Sequence, residues 1–249
     1  GFICNDDQNL KNVIRKTKNK NFYTYGKDKK SNFQIVNIKQ TSNFSSFDIK
    51  INIPSKKKII KGIKLPMIGI HNIRNATAAI SLAFTIGLPE KYIKAGLHNF
   101  KGVQRRFSHL FDHNKISFYD DYAHHPTEIS SVLSGVEKVY KNSEIVCVFQ
   151  PHRISRVIRL KKEFSKCFKK ADTVLLCPIY TANEKLRLNF SYHSFAKLII
   201  KNSNVRLIQV EDELQLQKFI KQNVFGKKIY IGMGAGSISN WMKNLKNIF

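Results

Sequence analysis

The second half of the chain alternates short apolar runs with amphipathic segments, and this rhythm constrains the fold more than any other feature of the sequence. The apolar runs predict five strands, at Ile116–Tyr119, Glu144–Phe149, Thr173–Cys177, Val205–Val210 and Lys228–Ile231. The segments that follow them predict five helices, at Pro126–Tyr140, Arg156–Lys169, Tyr192–Ile200, Asp212–Lys221 and Ser237–Leu245. Strands that each lead into a helix predict a mostly parallel, doubly wound α/β sheet.

The first hundred residues follow a different pattern, with few turn signals and short apolar alternations. We predict a helix at Asp6–Arg15, antiparallel strands at Phe22–Tyr25, Phe33–Val36 and Phe44–Ile53, an exposed turn at Lys56–Lys58, and helices at His71–Ile86 and Pro89–His98. A charged loop with Gly102 separates the two patterns. We therefore expect two domains, residues 1–103 and 104–249.

Composition narrows the class of protein. The chain has 249 residues and is 42% hydrophobic, which is too apolar for a disordered chain. No apolar run approaches the ~20 residues of a membrane-spanning helix, so we expect no membrane insertion. The four cysteines include no C-x-x-C spacing. This argues against a zinc or redox site and favours free thiols in a reducing cytosol.

The formal net charge of +26 raises nucleic-acid binding as an alternative function. The lysines, however, are spread along the chain, and no basic groove flanked by aromatic residues accompanies them. Lys, Asn and Ile are abundant and have A/T-rich codons, so mutational drift explains the composition without a nucleic-acid partner. We expect no nucleic acid among the partners.

Three polar clusters follow predicted strands, at the strand ends where open α/β sheets bind ligands. Asp120–Pro126 follows the first strand, Gln150–Arg156 the second and Gly232–Gly236 the last. Carboxylates suit ribose hydroxyls, and histidines suit phosphate or proton transfer near neutral pH. The alternative for the first cluster is a polar loop in which Thr127 or an aspartate caps the next helix. The alternative for the glycines is a turn whose shape requires them.

Two pairs of arginines are further candidates. Arg153 and Arg156 lie three residues apart at a predicted helix start, where they suit the carboxylate of a substrate. Ion pairing with nearby acids is the alternative. Arg105 and Arg106 lie at the proposed hinge, where one of them reaches a nucleotide or both remain on the surface.

The ordered set of motifs resembles the Mur ligases, most closely from about residue 60 onward. The motifs are GIHNIRNA at 69–76, GVQRRF at 102–107, DDYAHHPTE at 120–128, FQPHRISR at 149–156, IYTANE at 179–184 and GAG at 234–236. The resemblance implies part of a central ATPase domain followed by a Rossmann-like C-terminal domain. It also implies a bacterial, cytoplasmic enzyme of peptidoglycan synthesis.

Within the family, the HR-x-x-R pattern of His152, Arg153 and Arg156 favours the members that join L-alanine to UDP-N-acetylmuramic acid. The alternative is the related tripeptide-recycling ligase. The implied reaction consumes ATP with Mg²⁺ and passes through an acyl phosphate of the muramic acid carboxylate. The implied partners are therefore UDP-N-acetylmuramic acid, L-alanine and ATP.

The resemblance also implies roles for individual residues. Those expected to bind ATP are Asn72, Asn75, Arg105, Arg106 and Asp121, with the two asparagines facing adenine and Asp121 the ribose. Those expected to act in catalysis are His124, His125 and Arg106. Those expected to bind the L-alanine or muramoyl carboxylate are Tyr122, His152, Arg153 and Arg156.

Two features of the family are missing from this sequence. No G-x-x-x-x-G-K-[ST] phosphate-binding loop occurs, and Gly26-Lys27 lacks the glycine frame. The acidic metal ligand expected near that loop is absent too, so we predict no metal site in this fragment. We expect the chain to start inside the central domain, to lack the UDP site and to be inactive alone.

Overall fold

The computed structural model describes residues 1–18, 21–41, 43–54, 56–185 and 190–249. The chain forms two compact units, Gly1–Gly102 and Val103–Phe249, and each unit has its own sheet. Among the described residues, no helix combines the length and apolar character required to cross a membrane.

The first unit contains a five-stranded sheet and three helices among its described residues. Their order is β1 (Phe2–Cys4), α1 (Gln8–Lys16), β2 (Tyr23–Gly26), β3 (Phe33–Gln40), β4 (Ser45–Ile53), β5 (Lys56–Leu65), α2 (Ile70–Thr85) and α3 (Glu90–His98). The strands lie side by side in chain order. The buried core consists of isoleucines and phenylalanines of β3, β4 and β5, packed against α2 and α3.

The prediction of antiparallel strands is wrong for part of this sheet. β3, β4 and β5 are antiparallel, but β1 pairs with β2 in parallel, and β2 pairs with β3 in parallel. α1 supplies the crossover that brings β2 beside β1 in the same direction. The apolar alternation of a strand predicts which face is buried, and it carries no information about the direction of its neighbour.

The predicted turn at Lys56–Lys58 is also wrong, because these residues begin β5. They pair with Ile51–Ile53 of β4, and their side chains are exposed. β5 lies at the edge of the sheet, where exposed lysines are common because they discourage pairing with other chains. Further along the strand, Ile60, Ile63 and Leu65 supply its buried face.

The second unit contains a six-stranded sheet with helices on both faces. Its elements are β6 (Ser108–His113), β7 (Ile116–Asp121), α4 (Pro126–Val139), β8 (Glu144–Phe149), α5 (Ile154–Arg159), α6 (Lys161–Phe164), β9 (Thr173–Leu176), α7 (Tyr192–Ser203), β10 (Arg206–Gln209), α8 (Glu213–Gln222), β11 (Lys228–Met233), α9 (Ile238–Asn244) and a 3-10 turn (Leu245–Ile248).

The strand order of the second sheet is β10-β9-β8-β11-β7-β6. All neighbouring strands are parallel except β6 and β7, which are antiparallel. α8 and α9 pack on one face of the sheet. α6 and α7 lie on the other face, where Phe164 contacts Phe149 and Phe195. The predicted α/β class and the mostly parallel, doubly wound sheet are confirmed.

Two predictions for the second unit are corrected. β6 was not predicted, because it is an edge strand with a half-exposed pattern rather than a continuous apolar run. The helix predicted at Arg156–Lys169 begins two residues earlier and consists of two short helices, α5 and α6. Leu160 separates them, with a backbone φ of −110° and ψ of 23° that lies outside the helical region.

Replacing a buried leucine of the second unit tests this packing. Leu133 in α4 has no exposed surface, whereas Leu214 in α8 is 59% exposed. We expect Leu133→Ala to lower the free energy of unfolding by about 2–5 kcal/mol, since it leaves a cavity. The control, Leu214→Ala, should change it by less than about 0.5 kcal/mol. Equal effects in urea unfolding would contradict the described core.

Candidate functional site

The strand ends that carry the polar clusters meet because β11 lies between β7 and β8. β11 pairs in register with both strands, so that Met233 lies beside Asp121 on one side and Phe149 on the other. Just beyond the strand ends, the amide of Gln150 donates to the carbonyl of Met233 at 2.9 Å. The three clusters therefore form a continuous edge at the carboxyl ends of the sheet.

Asp121 is the buried carboxylate at the centre of this edge, with 1% of its surface exposed. It accepts hydrogen bonds from the amides of Phe107 and Ala123, both at 2.7 Å. Burial raises the pKa of Asp121 to about 6, although these two hydrogen bonds and the positive charge of Arg106 oppose the shift.

Asp120 lies beside Asp121 and is equally buried. Its Oδ2 accepts a hydrogen bond from the hydroxyl of Ser239 at 2.6 Å and lies 3.4 Å from Nε of Arg105. Arg105 also donates to the carbonyl of Gly234 at 2.5 Å, and its guanidinium lies 4.8 Å from the ring centre of Tyr122. Arg105 thus ties the loop before β6 to the ends of β7 and β11.

The two adjacent histidines have different hydrogen-bond partners. Nδ1 of His124 lies 2.9 Å from the carbonyl of Tyr122, which only accepts, so Nδ1 carries the proton. In its neutral form, His124 then keeps an unprotonated Nε2. Nδ1 of His125 accepts from the amide of Thr127 at 3.3 Å, so a neutral His125 carries its proton on Nε2.

His125 also caps α4, a position for which the sequence suggested Thr127 or an aspartate. Glu128 completes the capping box, since it accepts from the backbone amides of His124 and His125 at 3.1 and 3.2 Å. The cap fixes the backbone of both histidines at the start of the helix.

His152, Arg153 and Arg156 lie together at the start of α5. A guanidinium only donates, so Nδ1 of His152, 3.4 Å from Nη1 of Arg156, is unprotonated. Burial lowers the pKa of His152, and the positive charges of Arg156 and Arg153 lower it further. Arg153 precedes the first residue of α5 with a φ of 64°, and its side chain is exposed. This arrangement presents a neutral imidazole and two permanent positive charges at one strand end.

The first and second clusters are joined by aromatic contacts. The ring of His124 lies 5.1 Å from that of Tyr122 and 5.9 Å from that of His152, edge to face in both cases. Five of the residues predicted for the substrate and catalytic roles therefore share one region: Tyr122, His124, His152, Arg153 and Arg156.

Sequence reasoning assigned no role to three residues that complete this region. Tyr180 stacks on His152, with ring centres 5.5 Å apart. Glu184 accepts from the backbone amide and hydroxyl of Ser155, at 2.9 and 2.7 Å. Gln150 donates to the hydroxyl of Ser237 at 3.0 Å and accepts from the amide of Ile238 at 3.1 Å. The signal for Tyr180 and Glu184 was their position just after strand β9, the next parallel strand.

The predicted adenine residues lie in the first unit, on α2. Asn72 is buried, and its amide donates to the carbonyl of Ile68 at 2.7 Å, so part of its hydrogen-bonding capacity serves the fold. Asn75 is exposed and lies one turn further along. The same end of α2 is fixed by Arg74, which donates to Asp6 at 2.7 Å.

Comparison with known proteins identifies the family. Residues 105–235 match the family model described as the Mur ligase glutamate ligase domain, and residues 1–83 match the Mur ligase middle domain. The chain belongs to the Mur ligase family. It spans about half the length of the curated relatives it matches.

Several relatives of this Mur ligase chain carry the same name. This chain is 62% identical over 248 residues to the UDP-N-acetylmuramate–L-alanine ligase of Pelagibacter ubique, and the match covers 99% of this chain and 53% of the relative. It is 33% identical to the ligase of that name from Mesorhizobium japonicum, covering 97% of this chain and 52% of the relative. Among solved structures, the UDP-N-acetylmuramate–alanine ligase of Thermotoga maritima has a TM-score of 0.70 at 27% identity, covering 90% of this chain and 47% of that one.

In the part of the chain that the structure describes, no group of three or more His, Cys, Asp or Glu side chains is placed to hold a metal ion.

The raised pKa of Asp121 predicts a pH dependence of stability. Because the folded pKa of about 6 exceeds the ordinary value of 3.8, folding favours the protonated form. The contribution of Asp121 to the free energy of unfolding is full below the ordinary pKa and is lost as pH rises through about 6. Over this pH range, we expect the free energy of unfolding of the wild type to fall by on the order of 3 kcal/mol relative to that of Asp121→Asn. Urea unfolding at several pH values measures the difference, and parallel pH profiles would contradict it.

Proposed function

We propose that this chain is the C-terminal part of an ATP-dependent ligase that joins L-alanine to UDP-N-acetylmuramic acid. The observation that carries the proposal is the cluster of Arg153, Arg156 and a neutral His152 at the carboxyl end of β8. Two guanidinium groups beside an uncharged imidazole suit a small substrate that carries a carboxylate. The relatives that cover nearly all of this chain are named for that reaction.

The proposed reaction has two steps. The muramic acid carboxylate attacks the γ-phosphorus of ATP, so that an acyl phosphate forms and ADP leaves. The amine of L-alanine then attacks the acyl carbon, the tetrahedral intermediate expels phosphate, and an amide bond forms. Both steps build negative charge on oxygen, which positive groups in a partly buried site stabilise. Mg²⁺, when bound by the complete enzyme, neutralises charge on the phosphates.

The nucleotide side of the proposal rests on Asp121, Arg105 and Arg106, together with Asn72 and Asn75 on α2. A carboxylate suits the hydroxyls of a ribose, and two backbone amides fix the position of the Asp121 carboxyl. Arg106 lies near enough to Asp121 for its charge to lower the pKa of that carboxyl, so it lies on the same side of the site. Arg106 there would contact the phosphates or the reacting carboxyl.

Proton transfer is proposed for the two histidines. An amine loses its proton when it forms an amide, so the reaction needs a base near the amino-acid substrate. The Nε2 of neutral His124 is unprotonated because Nδ1 donates to Tyr122, and its ring lies 5.9 Å from that of His152. We assign the base to His124. The opposite proton placement on His125 suits donation to a phosphate or acyl oxygen.

Two wider proposals accompany this function. All four cysteines are free thiols and three are buried, which supports a cytoplasmic bacterial enzyme of peptidoglycan synthesis. The chain divides into its two compact units after Gly102, which supports the proposed domains 1–103 and 104–249.

The tripeptide-recycling ligase stays as the second candidate, because the nucleotide motifs of this chain resemble those of that ligase as well. A chimera separates the two. The N-terminal part of the Pelagibacter ubique ligase, fused ahead of Gly1, supplies the half of the relative that this chain lacks. We expect ADP release that requires both UDP-N-acetylmuramic acid and L-alanine, with little from the tripeptide. Efficient use of the tripeptide alone would reject the L-alanine assignment.

The carboxylate role of Arg153 predicts the effect of its removal. Arg159 is the last residue of α5, at the opposite end from Arg153, and is also exposed, so it provides a matched control. In the chimera, we expect Arg153→Ala to raise the KM for L-alanine by roughly 30-fold or more, since a charge-assisted hydrogen bond is lost. Arg159→Ala should leave this KM unchanged. An unchanged KM in Arg153→Ala would remove Arg153 from the carboxylate site.

A further inference from the structure

The lack of a side chain at Gly236 makes room for the ring of Tyr180. A methyl group at Gly236 would lie 2.5 Å from Cγ of Tyr180 and 2.5 Å from Oε1 of Gln150, closer than real carbon contacts allow. The φ of Gly236 is not in the left-handed region, so its backbone does not require glycine. Gly236 is therefore needed for the space it leaves, and Tyr180 fills that space.

From this position Tyr180 contacts two residues of the proposed amino-acid site. Its ring stacks on His152 with an angle of 8° between the planes. Its carbonyl accepts from the amide of Arg153 at 2.9 Å, and its own amide donates to the carbonyl of Pro151 at 2.8 Å. These bonds form a short parallel bridge between His152 and Tyr180 beyond the ends of β8 and β9.

Arg153 depends on such support because its backbone is unusual. Its φ of 64° lies in the left-handed region, which is costly for a residue other than glycine and persists only where neighbours hold it. The hydrogen bond to Tyr180 is a backbone contact that holds it. The orientation of His152 depends likewise on the stacked ring of Tyr180 on one side and on Arg156 on the other.

We propose that Tyr180 and Gly236 are positioning residues for the amino-acid substrate, with Gly236 acting through Tyr180. Tyr180, seated against Gly236, fixes the imidazole of His152 and the backbone of Arg153, and thereby links the turn after β11 to the carboxylate site after β8. The identity of the substrate rests on the proposed function, whereas the mechanical link between these residues does not.

Gly236→Ala, Tyr180→Leu and the double variant test this link, with Gly96→Ala as the matched control. Gly96 lies in α3 and has no positive φ, and a Cβ added there would meet no atom within 4 Å. A methyl group is therefore tolerated at this position. In the chimera, we expect Gly236→Ala and Tyr180→Leu each to raise the KM for the amino donor on the order of tenfold. The kcat and the KM for ATP should change less than about twofold.

The double variant distinguishes a shared cause from two separate ones. If Gly236 acts through Tyr180, Gly236→Ala adds little to Tyr180→Leu, so the effects on KM are not additive. Tyr180→Phe keeps the stacked ring and should restore most of the KM lost in Tyr180→Leu. Additive effects, or no rescue by phenylalanine, would overturn the proposed link.

A second readout uses the 249-residue chain itself and requires no activity. The groups that act on His152 are Arg153, Arg156, His124 and Glu184, together with its burial. Because the ring of Tyr180 contributes to that burial, Tyr180→Leu and Gly236→Ala should each raise the pKa of His152, measured by NMR titration. Gly96→Ala should leave it unchanged.

The outcomes separate this inference from the function on which it rests. If the chimera uses the tripeptide instead of L-alanine, while the variants still shift the KM and the pKa of His152, the proposed substrate is wrong and the link is supported. If the chimera uses L-alanine, while Gly236→Ala and Tyr180→Leu leave the KM and the pKa of His152 unchanged, the link is wrong and the proposed substrate is supported.

Discussion

The pairing of β11 with both β7 and β8 is the interaction on which the site depends. Six residues of β11 are in register with each neighbour, and parallel strands lie about 4.8 Å apart. The chain segments after these strands are therefore forced into contact, although those after β7 and β11 are more than a hundred residues apart in sequence. Without this insertion, the carboxylates at the end of β7 would be remote from the arginines after β8.

The carboxylates and the guanidinium groups lie on different sides of this edge. Asp120 and Asp121 are both almost fully buried, and Arg105 lies between the first of them and the carbonyl of Gly234. On the other side, burial lowers the pKa of His152, and the positive charges of Arg156 and Arg153 lower it further. The site thus has a carboxylate side suited to hydroxyl groups and a guanidinium side suited to an anion.

The sequence predicted the central strands of the second unit well because β8, β9 and β11 are buried on both faces. The continuous apolar run Ile145–Phe149 is typical of a strand buried on both faces. The predicted bounds of that strand, Glu144–Phe149, are those of β8. The strands β5 and β6, which both lie at a sheet edge, were not predicted. β5 begins with three lysines, and β6 alternates in exposure, so neither shows an apolar run. The parallel pairing of β1, β2 and β3 depends on the path of the chain between strands, which local patterns do not contain.

The candidate site was predictable in its chemistry and less so in its construction. The polar clusters were identified because strand ends are where such sheets bind ligands. The helix cap at His125, the proton positions of the two adjacent histidines and the stacking of Tyr180 on His152 arise from contacts in three dimensions. The need for glycine at position 236 has the same origin, because its neighbour Tyr180 is distant in sequence.

The most direct test of the proposed function concerns the carboxylate that Arg153 and Arg156 are proposed to bind. In the chimera, initial rates are compared for L-alanine and L-alaninamide, which differ in that carboxylate. If the two arginines bind it, the wild type prefers L-alanine by roughly a hundredfold, and the double variant Arg153→Ala, Arg156→Ala loses the preference. Equal use of both compounds by the wild type, or a preference that survives in the double variant, would contradict the proposal.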